Sequence, residues 1–213
     1  MYNLKKLIKK CKESDSSLIL VIIRWIYYKI MGKNILANDK AIIKGLRNIQ
    51  THGLLEIGMG YVGFVHKNDT TYLNVHGDLI FQDKYIIGKG CRFDIGNGAV
   101  AKFGKGYVNA MTNFIIMHGI TIGDGCAISW GCEFLDEDFH QITYEGKEEK
   151  PSPIEIGNHV WIGSNVTILK GSRIPDGCVI ASGSVVSTAF EKPNCLIAGN
   201  PAKEIKENVM WKM

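Results

Sequence analysis

His140 stands inside a polar stretch, LDEDFHQITYEGKEEKPSP, that runs from Leu135 to Pro153. A histidine titrates at about pH 6.5, so at neutral pH it can take the proton from a hydroxyl as that oxygen attacks an electrophile. A carboxylate or backbone carbonyl on its other ring nitrogen would fix the tautomer, and Asp138 or Asp136 could serve. The bland alternative is a solvated loop histidine beside a solvated acidic run, and the stretch alone leaves both open. Cys126 and Cys132 lie just upstream and raise the question of thiol chemistry. His118, His140 and His159 are the three histidines a catalytic metal would need. No CxxC pair or zinc spacing accompanies them, and no metal is expected.

The elements that must position these groups announce themselves by period. From Ile156 an aliphatic residue recurs every six positions: Ile162, Ile168, Ile174, Ile180, Val186. Six is neither the period of a helix nor the simple alternation of a strand. It fits a short strand plus a corner, with the opening aliphatic side chain turned inward. Three such units close a triangular coil of about 18 residues, and coils stack at about 4.8 Å, the inter-strand spacing. The prediction is an all-β solenoid, a parallel β-helix of hexapeptide repeats. Cys91, Cys126, Cys132 and Cys178 each fall four residues after a hexad-opening isoleucine, where the pattern wants a small buried side chain. That register makes them core rather than reactive groups, in a reduced, cytoplasmic protein.

Organisation follows from the period. Residues 1–34 read as a basic, amphipathic helical segment, residues 35–190 as the β-helix with an arm at 135–153, and residues 191–213 as a C-terminal cap. The repeat is imperfect before Ile87 and slips between Phe103 and Ile120, which reads as the acceptor side. Because the repeats on both sides of the arm stay regular, its two ends should be adjacent, and the arm should project from one corner. A long excursion from a strict solenoid is where function concentrates. The apolar run Leu18 to Ile23 is interrupted by Arg24 and Lys29, too soon for a transmembrane span. Residues 1–30 therefore either rest on the inner face of a membrane or pack against protein. A net charge of +4 suits a polyanionic cofactor, and no nucleic-acid motif accompanies it.

The hexads, the DEDFH arm, HVWIGSNV, VIASGSVV and AGNPAKEI together resemble the hexapeptide-repeat acyltransferases over roughly residues 55–205. The nearest branch looks like the maltose/galactoside-type sugar O-acetyltransferases and relatives that modify bacterial surface polysaccharides. The resemblance implies a left-handed β-helix, against the usual right-handed crossover. It also implies a homotrimer with sites between neighbouring solenoids, and acetyl-CoA as co-substrate. His140 matches the catalytic histidine. Trp161, Gly163 and Ser164 match the thioester end of the coenzyme A channel, with the Ser164 N–H facing the oxyanion. Ser182, Ser187 and Thr188 match the pantetheine path, and Lys203 a basic residue near the nucleotide phosphates. Asn109 matches an acceptor contact. Two departures stand out: Thr188 replaces a lysine frequent in the family, and Met117 and His118 stand where known sugar acetylators carry an acidic acceptor contact.

The activity so implied is direct acetyl transfer to a sugar hydroxyl in a ternary complex, with His140 as general base. N-acetylation of an amino sugar and acetylation of an antibiotic are the alternatives. A γ-carbonic-anhydrase-like metalloenzyme and a non-catalytic scaffold stand further off.

Overall fold

The computed structural model of the chain describes residues 3–60, 63–146 and 153–212. The chain climbs in triangular coils, laying successive short strands in turn on three sheets, here A, B and C. Among the described residues these hold nine, seven and six strands. Every pairing between coils is parallel and in register, as at Phe93–Phe114–Phe134 in sheet B. Inward positions alternate with outward ones, so the strand Asn113–Ile116 buries Phe114 and Ile116 and half-exposes Asn113 and Ile115.

The six-residue period survives intact only after the arm. Trp161 pairs with Val179, a coil of 18 residues, whereas Tyr85 pairs with Gly106 and Gly106 with Cys126, coils of 20 or 21. The slip between Phe103 and Ile120 is therefore a wider coil and not a break. Gly106–Val108, Asn113–Ile116 and Gly119–Ile122 are ordinary strands of sheets A, B and C. The wide coils enclose Phe81, Tyr85, Phe93, Phe103, Phe114 and Phe134, all fully buried, while the narrow ones enclose isoleucine, valine and cysteine. Phe114 stacks on Phe93 and on Phe134 with ring centroids 4.4 Å apart in both cases. Offset stacks of this kind add to the burial term and tie successive coils together.

All six cysteines are free and buried, and for Cys91, Cys126, Cys132 and Cys178 the hexad register predicts it. Where residues 1–34 were expected to be helical, residues 3–34 form two helices, α1 (Leu4–Glu13) and α2 (Leu18–Ile30). Ser17 caps α2 through its side chain. Arg24 does not end the helix but fastens it, donating to the carbonyls of Asp39 and Ala41 and to the Tyr28 hydroxyl. Leu7, Cys11, Val21, Leu36 and Met59 make a small second core under the helix pair. At the other end, Leu196–Gly199 continues sheet A, and Ala202–Lys206 folds back antiparallel to close it.

Candidate functional site

The arm leaves the corner between sheets B and C, directly after the strand Glu133–Leu135. It returns at Ile154–Ile156 in sheet C, beside Gly119–Ile122. Its two ends share one corner, as the regular repeats on either side require. The residues that carry it across that corner are the acidic run: Asp136 is fully buried, Glu137 and Asp138 are partly exposed, and all three carboxylates are engaged.

Each carboxylate makes its own attachment. Asp136 is fully buried and accepts the backbone N–H groups of Met117, His118 and Gly119 at 2.7, 2.9 and 2.7 Å. Three donors converging on one carboxylate satisfy a turn whose amides would otherwise lack partners. Glu137 sits 2.7 Å from the His118 ring through one oxygen and accepts the Asp138 and Phe139 N–H groups through the other. The hydrogen bond from His118, followed by that from the Phe139 amide, holds the Glu137 carboxyl below its ordinary range. Asp138 reaches the opposite way, pairing with Lys170 at 2.7 Å. Met117 and His118 follow the sheet-B strand one coil before the arm, and Lys170 follows the sheet-B strand one coil after it. The run is thus clamped to both neighbouring coils, and His140 follows two residues beyond, exposed to solvent. Phe139 between them takes a left-handed backbone (φ 57°), rare for a bulky side chain.

Asp136 and Asp138, the two candidates for orienting His140, are both committed to these attachments. Glu137 and Lys170 are the residues of this attachment that sequence reasoning missed. Spacing could not have found Lys170, since only coil stacking brings it to the arm.

A second corner, between sheets A and B, carries the other half of the expected residues. Asn109, Gly163, Ser164 and Ser182 all follow sheet-A strands and precede sheet-B strands. Trp161, on sheet A just before that corner, is half-exposed and donates its Nε1–H to the Ser129 hydroxyl at 3.2 Å. The Ser164 N–H donates to the Ser182 hydroxyl at 3.1 Å, which joins two coils along the corner. Gly163 is required by packing. A Cβ there would lie 2.7 Å from the Ser182 nitrogen and 2.8 Å from the Ile180 oxygen. Trp130 is exposed at the same corner, with Phe64 edge-on to it at 6.1 Å. Phe64 belongs to an excursion between Ile57 and Tyr72 whose weak hexads had read as ordinary coil.

Within one chain the two corners do not meet. Sheet B lies between them, a strand of two to four residues, about 7–13 Å. Ser187 and Thr188 fall on the B–C corner with the arm, and Lys203 on the terminal hairpin. His159 lies at a third corner, between sheets C and A, where its ring stacks on Trp211 at 4.2 Å. Its carbonyl accepts the Trp211 Nε1–H. The three histidines weighed as metal ligands therefore sit on two different corners, and no metal-ligating cluster occurs among the described residues.

Comparison with known proteins bears on what such a frame does. A family model described as bacterial transferase hexapeptide (six repeats) matches residues 153–188. An uncharacterised 24.8 kDa protein in the cps region of Klebsiella pneumoniae is 39% identical, spanning 95% of this chain and 93% of its own. A probable macrolide acetyltransferase of Lysinibacillus sphaericus is 37% identical across 67% of this chain and 72% of its own. A putative lipopolysaccharide biosynthesis O-acetyl transferase, WbbJ, of Escherichia coli is 29% identical across 66% of this chain and 80% of its own.

Proposed function

The chain belongs to the hexapeptide-repeat acyltransferases, and on that premise we propose that it transfers acetyl from acetyl-CoA to a sugar hydroxyl of a bacterial surface polysaccharide or its precursor. Membership makes the solenoid a left-handed parallel β-helix and the protein an acetyltransferase. Donor, acceptor and residue roles are the proposal. The similarity to WbbJ supports a glycan acceptor.

In this reading His140 takes the proton from the acceptor hydroxyl as its oxygen attacks the thioester carbonyl. The Ser164 N–H stabilises the oxyanion, the Ser182 hydroxyl yielding its place to it. The tetrahedral intermediate collapses, the carbon–sulfur bond breaks, and coenzyme A leaves with the proton carried by His140. Transfer is direct, with no acyl-enzyme. One observation carries the assignment of His140: three successive carboxylates spend their interactions fixing the root of its arm to two coils. A merely solvated loop has no need of such a mount.

The two corners of one chain complete a site only if a neighbouring copy presents its A–B corner to the arm. A homotrimer of parallel solenoids does this, and it is the assembly proposed. Trp161, Gly163, Ser164 and Ser182 then line the coenzyme A channel, with Ser187, Thr188 and Lys203 along the pantetheine and phosphates. Asn109, Met117 and His118 face the acceptor, the histidine replacing an acidic contact. Cytoplasmic residence is part of the same proposal, and the six free cysteines and a need for acetyl-CoA support it.

Thiol release from acetyl-CoA, followed across free sugars, nucleotide sugars and lipid-linked oligosaccharides, tests the reading. His140→Ala is expected to lower turnover by about 10²–10⁴-fold with the fold intact by circular dichroism. Full turnover in that variant would remove His140 from the mechanism. The probable macrolide acetyltransferase among the relatives favours an antibiotic as the second class of acceptor. Activity on a macrolide and on no sugar would replace the first.

A further inference from the structure

Helix α2 carries apolar side chains on two faces, one turned to protein and one to solvent. Val21 and Tyr28 are buried against the solenoid, with Leu18, Ile22 and Trp25 packed beside them. The opposite face presents Ile19, Leu20, Ile23, Ile26, Tyr27 and Ile30, each at least half exposed and Ile30 79% exposed. At 100° per residue these six fall within roughly a third of the helix circumference, a continuous stripe and not scattered side chains. Apolar stripes of this length on a soluble surface mark a contact. The helix lies against Ile35–Ala37, the first strand of sheet A, so the stripe stands at the N-terminal end of the solenoid.

Charge decides what covers it. Residues 3–33 hold seven lysines and one arginine against two acids, Glu13 and Asp15, and α2 itself has no acid. Lys5, Lys6 and Lys12 are exposed along α1, and Lys29 at the end of α2. A second copy docking here would set lysine against lysine. An anionic surface would instead be matched to the lysines and the stripe together. With 13 residues α2 is about 20 Å long, short of the roughly 30 Å hydrocarbon core, and no described helix is long and apolar enough to cross a membrane. We propose that α1 and α2 form an interfacial anchor that lays the N-terminal end of the solenoid on an anionic lipid bilayer, with the isoleucine stripe among the acyl chains and the lysines at the headgroups.

Co-sedimentation of the full chain with phosphatidylcholine vesicles, with and without phosphatidylglycerol, tests this independently of the acetylation reading. Binding is expected with the anionic vesicles and should weaken with salt. Ile19→Ser, Ile23→Ser and Ile30→Ser together should weaken it by more than about tenfold. Lys5→Gln, Lys6→Gln and Lys12→Gln should cost roughly fivefold each. Neither set should alter the circular dichroism or the oligomeric mass. Three results would overturn the proposal: no binding to anionic vesicles, equal binding by the triple isoleucine variant, or a change of oligomeric mass in that variant, which would make the stripe an interface between copies.

Discussion

A carboxylate that accepts three backbone N–H groups while fully buried, as Asp136 does, cannot be replaced by its amide without loss. The amide nitrogen of asparagine would meet donors. Asp136→Asn is expected to cost about 1.5–3 kcal/mol in denaturant unfolding and to lower acetyl transfer by loosening the arm root. The cysteines give the opposite kind of prediction. Burial pushes the Cys91 thiol up to about 12 and those of Cys126 and Cys132 to about 11, from an ordinary 9.0. A thiol whose folded pKa is raised contributes its full stability below the unfolded value, and that stability drains away as pH rises above 9 toward the folded values. Chemical denaturation midpoints should therefore fall between pH 9 and 11. A thiol reagent at pH 8 should label these residues only after unfolding. Register had already marked these thiols as core, because the period fixes which position faces inward. The DED run was not legible in the same way. Its partners, Met117 to Gly119 and Lys170, are about a coil away in sequence, and only stacking makes them neighbours.

At the scale of elements, the corner between sheets A and B is built so tightly that its glycine is structural. A methyl on Gly163 would collide with the backbone of Ile180 and Ser182. Backbone cannot step aside as a flexible side chain can. Gly163→Ala should lower thermal stability by about 1–3 kcal/mol, and the coenzyme should rescue it only by mass action. The strands after the arm were readable residue by residue, since each hexad is one strand and one corner with nothing inserted. Those before it were blurred by extra residues in each coil, one to four in the coils from Tyr72 on. The excursion between Ile57 and Tyr72 was missed because weak hexads surround it and give it no contrast. Helix α2 was visible as an apolar run, but which of its faces met protein was not.

The whole molecule raises the question of how two corners about a sheet's width apart would act on one thioester, as proposed. A trimer with shared sites makes a quantitative demand. Mixing His140→Ala with Trp161→Ala subunits under exchange should restore roughly a quarter of wild-type activity, since that share of sites draws both intact residues from different chains. If every site lay within one chain, mixing would restore nothing. The N-terminal helix pair sits at one end of the solenoid and the arm on its flank, so parallel packing of copies would leave all three helix pairs on the same side.

By itself the sequence determined the solenoid, its inward positions, the place of the arm and the candidate histidine. Those depend on periodicity, and a six-residue repeat leaves one way for apolar side chains to turn inward. Tertiary structure alone decided what holds the arm, which expected site residues share a corner, and which side of α2 stays bare. These depend on which residues of separate coils come to lie at the same height. That juxtaposition is set by coil length, which insertions change without disturbing the pattern of the strands.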